Sequence, residues 1–77
     1  MTEQDVLDLV SDALVIPRGQ IHRGSSSQDI SEWDSMGILG ILTALNRCGV
    51  RVEPADVGKL RSMEGILAEV RKAGMLD

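Results

Sequence analysis

Seventy-seven residues with 12 acids against 8 bases, one histidine, one cysteine and a single aromatic side chain, Trp33, describe one small domain over 1–77. That is near the lower size at which an apolar core suffices without covalent staples. A net charge of −4 and the lack of Phe and Tyr argue against nucleic acid and anionic membrane as partners, and the lone cysteine excludes an internal disulfide.

No apolar run approaches the roughly 20 residues that a bilayer span needs, and no Cys/His spacing suggests zinc. Met1 leads straight into acidic, helix-like sequence with no signal peptide, so a cytoplasmic monomer is expected. The charge is uneven along the chain. Residues 1–34 carry seven acids and two bases, while 35–77 carry five acids and six bases, with Arg47, Arg51, Lys59 and Arg61 crowded between 47 and 61.

Thr2 is placed to cap a first helix, with Asp5 at the reciprocal position of a capping box. Val6, Leu7, Val10, Ala13 and Leu14 then recur at helical spacing, and Asp8 and Asp12 fall on the wet side. Pro17 disfavours helix in the residue before it, so this helix should stop at about Val15–Ile16. Residues 17–34 form a long connection without a period, containing Pro17, Gly19, Gly24 and the run Ser25-Ser26-Ser27. Loops of that length in small domains are uncommon and often functional. Ile21, Ile30 and Trp33 are its expected anchors, and His22 is assigned no role.

The most apolar stretch follows, from Ser35 to about Arg47. Asp34 suits its N-cap, since a carboxylate there accepts free N–H groups of the first turn. Ser35 is then left at the first helical position with a hydroxyl not needed for capping, in the positive field of the helix start, where a phosphate is well accommodated. Ile38, Leu39, Ile41, Leu42 and Leu45 cover an arc of about 160°, which predicts that all five face the core. Met36, Gly37, Gly40, Thr43, Ala44 and Arg47 form the other face, which holds no acid. Gly37 and Gly40 each cost about 1 kcal/mol relative to Ala in a helix interior, so close approach by another helix or a partner is expected there. Gly49 fits a left-handed helix terminus, and Cys48 before it reads as a small buried hydrophobe. Pro54 opens a short helix over 54–59. Ser62 caps the last one, whose stripe is Met63, Ile66, Leu67 and Val70, with Arg71 and Lys72 in its final turn and Gly74 closing it.

The predicted fold is therefore all-α: a four-helix bundle of three main helices and a short third, with a long loop between the first two. Trp33-Asp34-Ser35-Met36-Gly37, the aliphatic helix after it, Cys48-Gly49-Val50-Arg51-Val52 and a short final helix resemble the acyl carrier proteins. The Asp-Ser-Met-Gly form is similar to that of the D-alanyl carrier proteins and other free-standing carriers. The resemblance covers nearly the whole chain in length and element order. It implies that Ser35 carries 4′-phosphopantetheine, installed by a phosphopantetheinyl transferase, and that Asp34 supports the modification. Acyl- or aminoacyl-loading and transferring enzymes would be the partners, meeting Met36, Gly37, Ile38, Gly40 and Arg47, and the chain itself would catalyse nothing.

Two features depart from the familiar fatty-acid carriers, which place Glu and Asp along this helix for basic patches of their enzymes to read. Here the matching positions hold Gly37, Gly40, Asn46 and Arg47, and the run into Cys48-Gly49 is one residue shorter, with Cys48 where Phe is common. Both imply a carrier dedicated to a specialised pathway, with cognate partners that present an apolar or mildly acidic surface. The rival reading is a cofactor-free helical adaptor that binds other proteins. An enzyme is the poorest fit, because the sequence offers no nucleophile–base constellation.

Overall fold

Helix α1 covers Glu3–Leu14 in the computed structural model, which describes residues 1–77. Its start is the expected capping box: Asp5 N–H donates to Thr2 Oγ1 (3.1 Å) and Thr2 N–H donates to Asp5 Oδ2 (2.9 Å). Val6, Val10 and Leu14 are its buried stripe, joined by Ser11, whose hydroxyl donates to the Leu7 carbonyl at 3.0 Å and so enters the core satisfied.

The helix ends at Leu14, slightly earlier than the proline alone suggests. Val15 turns into the left-handed region (φ 57°), and Ile16 N–H reaches back to Ser11 O at 3.1 Å. The reversal lets Ile16 bury before Pro17 takes the chain away. Val15 is 88% exposed, so its side chain gains nothing from packing. A left-handed L-residue costs about 1–2 kcal/mol, and the greater backbone freedom of glycine returns about 0.5–1 of that. Val15→Gly is therefore expected to stabilise the protein by about 0.5–1 kcal/mol, a rise of about 2–8 °C in melting temperature for a domain of this size. A melt at or below wild type would show that the turn is not strained.

The connection to the next helix is tied down more firmly than its composition suggests. Ile21 and Trp33 are buried and Ile30 is half-buried, as expected of the anchors. In addition, Ser26 pairs with Ser62 in an isolated antiparallel bridge. Ser27 N–H donates to Arg61 O (2.8 Å) and Met63 N–H donates to Ser25 O (3.0 Å). Ser25 is buried, its Oγ accepting from His22 N–H at 3.0 Å. Trp33 Nε1–H donates to Leu60 O at 2.9 Å, so the indole satisfies its polar edge while filling the core.

Helix α2 spans Ser35–Arg47, a 3₁₀ helix spans Pro54–Arg61, and α3 spans Met63–Lys72 with Ser62 as its cap, Gly65 N–H donating to Ser62 Oγ at 3.0 Å. No helix is long and apolar enough to cross a membrane. The 3₁₀ segment is longer and more tightly wound than the short helix expected over 54–59, and Leu60 is its one buried residue. Gly49 (φ 91°) and Gly74 (φ 74°) take the left-handed positions that close α2 and α3.

Two expectations about α2 are corrected. Its buried residues are Gly37, Ile38, Ile41 and Leu45, whereas Leu42 is half-buried and Leu39 is 54% exposed. The inward face is rotated toward the glycines, because α1 packs against that side. A Cβ on Gly37 would lie 2.5 Å from Glu32 O and 2.6 Å from Leu14 Cδ2, and one on Gly40 would lie 3.1 Å from Ala13 O. Glycine thus lets α1 approach α2 in the opposite sense, the packing alternative of the two weighed above. Cys48 is exposed rather than a core residue. Gly49 reverses the chain so that Val50 enters the core in its place, with Val50 N–H donating to Leu45 O at 2.9 Å.

Candidate functional site

Asp34 has extended backbone (φ −103°, ψ −166°), and its Oδ1 accepts from Gly37 N–H at 2.9 Å while its carbonyl takes Ile38 N–H. The carboxylate therefore caps α2 alone, as the sequence predicts. Ser35 occupies the first helical position and is exposed. Residues entering this start are held from behind by buried Trp33, so the helix begins at a fixed point on the surface. The first N–H groups of a helix lack intrahelical acceptors, and α2 has no acid in its first turn beyond the cap, so Ser35 Oγ sits at the positive end of the helix dipole beside the Asp34 carboxylate.

Beside Ser35 lies a cleft of about 310 Å³ between α2 and the 3₁₀ helix, lined by Ser35, Ile38, Leu39, Val57, Gly58 and Arg61. One ion pair, Lys72 with Asp56, links its far wall to α3, and Lys59 joins the same carboxylate from within the 3₁₀ helix. Lys59 and Lys72 each place Nζ 3.1 Å from an Asp56 carboxylate oxygen. Their hydrogen bonds keep the Asp56 carboxyl below its ordinary range, and the Asp56 bond raises the Lys72 ammonium. A larger concavity of about 820 Å³ opens on the other flank of α2, against α1, but Ser35 does not line it. Position beside the hydroxyl, not size, singles out the smaller cleft.

The residues expected at the partner surface divide. Met36 is 75% exposed and Arg47 is exposed, so both stand on the outward ridge of α2 with Leu39 and Thr43. Gly37 and Ile38 are buried and Gly40 is half-buried close to Ala13 of α1, so they lie off this outward ridge. Reasoning from sequence missed Leu39 as an outward residue and missed Val57, Gly58 and Arg61 beside Ser35. Leu39 sits next to Ser35 on the helical wheel, a signal that was present but outweighed by its apolar character. Nothing local marks the 57–61 segment except its basic charge.

No protein-family model matches the sequence, and no curated protein or solved structure is significantly similar to it.

Proposed function

We propose that this chain is a carrier protein that bears 4′-phosphopantetheine on Ser35. The observation that supports the reading best is the division of labour at the start of α2: Asp34 does the capping, and Ser35 presents an exposed, uncommitted hydroxyl at the N-terminal end of the helix dipole. The apolar cleft beside it fits an attached arm, since Ile38, Leu39 and Val57 offer surface for a chain to lie against. The resemblance of Trp33-Asp34-Ser35-Met36-Gly37 to acyl carrier proteins points the same way.

In the loading step the Ser35 oxygen forms a bond to the pantetheine-bearing phosphorus of coenzyme A. The pyrophosphate link breaks, adenosine bisphosphate leaves, and the serine proton passes to a base of the transferase. When bound, the group supplies a terminal thiol that holds acyl or aminoacyl cargo as a thioester. The chain's own part is to fix Ser35 at a rigid helix start and to present Met36, Leu39, Thr43 and Arg47 to the enzymes that load and unload the cargo. That ridge carries no acid, so a partner surface that is apolar or mildly acidic suits it, in a specialised pathway and not general fatty-acid synthesis.

The deciding measurement is intact mass after incubation with coenzyme A and a broad-specificity phosphopantetheinyl transferase. Wild type should gain one phosphopantetheine. Ser35→Ala should gain none and keep its helical circular dichroism, because Asp34 still caps α2. An unmodified wild type would favour the cofactor-free adaptor, and a mass gain that survives in Ser35→Ala would move the site to another serine.

A further inference from the structure

We infer that Arg61 is a positioning residue for the phosphodiester on Ser35, an inference that rests on the carrier reading above. Arg61 and Ser35 are far apart in sequence yet line one cleft, and Arg61 is the only cation in its lining. Its side chain is exposed and enters none of the chain's ion pairs, which engage the N-terminal ammonium, Arg18, Arg23, Lys59 and Lys72. Lys59, the neighbouring cation on the 3₁₀ helix, is already engaged with Asp56.

The backbone around Arg61 is locked to the loop that delivers Ser35. Arg61 O accepts from Ser27 N–H (2.8 Å), Ser62 is bridged to Ser26, and Leu60 O accepts from Trp33 Nε1–H (2.9 Å), two residues before the serine. Arg61 is thus held in register with Ser35 by the Ser26–Ser62 bridge, of which its own bond to Ser27 is one half, and by the Trp33–Leu60 bond.

The charges near the hydroxyl make a cation useful. Asp34 precedes Ser35 directly and Glu32 is exposed close by in sequence, so both oppose a phosphate on Oγ. The α2 start offsets part of this repulsion, but one of its N–H groups is already taken by Asp34. A guanidinium can donate two N–H groups to the two free phosphodiester oxygens, which an ammonium cannot match in geometry. The apolar remainder of the cleft, Ile38, Leu39 and Val57, then lies beyond the phosphate for the rest of the arm.

The test compares apo and loaded forms of wild type, Arg61→Gln and Arg61→Lys, each verified by intact mass. Loaded wild type should melt about 2–4 °C above apo at low salt, the size expected of one exposed charge-assisted pair in a small domain. That rise should vanish in 1 M salt. Arg61→Gln should match wild type in the apo form and lose the rise on loading, while Arg61→Lys should keep part of it. The Arg61 Nε–H resonance should also move on loading of wild type. A loaded Arg61→Gln that gains as much as wild type, or a loaded wild type with neither a melting rise nor a moved resonance, would overturn the inference while leaving Ser35 as the attachment site. Absence of any mass gain in wild type would instead sink the carrier reading, and this inference with it.

Discussion

Gly65→Ala should leave the protein largely unfolded at ambient temperature. In the interior of an ordinary exposed helix the same change stabilises by about 1 kcal/mol, because Ala is the better helix former. Here the space decides. A Cβ built on Gly65 would overlap the Lys59 carbonyl oxygen outright, with the Lys59 carbonyl carbon at 2.9 Å and Ser62 Oγ at 3.1 Å. Those first two atoms are backbone, so no rotamer change relieves the clash.

Either α3 or the 3₁₀ helix must move. Moving the 3₁₀ helix pulls on Leu60, which is fully buried and whose carbonyl satisfies the Trp33 indole. Moving α3 pulls on Met63 and Ile66, also fully buried. Overpacking of this kind costs about 1–3 kcal/mol and more where backbone must shift, against a total of only about 3–5 kcal/mol for a core this small. Gly58→Ala is the matched control, since nothing lies within 4 Å of a Cβ there. Thermal melts followed by circular dichroism check both variants. A Gly65→Ala protein as stable as wild type would mean that the two helices are not in contact at this point.

Features that depend on one or two adjacent residues were legible in the sequence. Asp34 and Gly49 mark both ends of α2, Thr2 with Asp5 starts α1, and Ser62 starts α3, because a cap acts through hydrogen bonds within a few positions. The all-α architecture with its long first loop follows from those marks and the apolar spacing between them.

What was not legible depends on chain segments meeting from a distance. Which side of α2 faces inward is set by where α1 lands, and the apolar arc of α2 is too wide to fix it: the same five aliphatics are compatible with several rotations. Gly37 and Gly40 carried the missing information, since a helix can come close only where side chains are absent. Likewise, Ser25-Ser26-Ser27 gives no sign of pairing with residues 61–63, because that bridge uses backbone groups which every sequence offers. The cleft beside Ser35 inherits this limit. Its near wall is α2 and could be anticipated, while Val57, Gly58 and Arg61 arrive only through the tertiary fold.

The rotation of α2 leads to a graded expectation for three leucines that look alike in sequence. Leu45 is fully buried, Leu42 is half-buried and Leu39 is 54% exposed. Truncation of a buried Leu to Ala typically costs about 2–5 kcal/mol, from lost transfer free energy together with the cavity left behind. Leu45→Ala should therefore be largely unfolded at ambient temperature, given how little stability a domain of this size holds in reserve. Leu42→Ala should fall between, with a cooperative melt at reduced temperature. Leu39→Ala should stay within about 0.5 kcal/mol of wild type, as surface substitutions usually do. On the arc read from spacing alone all three would be equally damaging, so urea denaturation of the series discriminates directly between the two rotations. Equal losses at Leu39 and Leu45 would restore the wider arc and would also close the cleft against Ser35, because Leu39 could not then line it. A loss confined to Leu45 and Leu42 would leave Leu39 as an apolar side chain held at the surface next to the serine, where its contribution is to the cleft and not to the core.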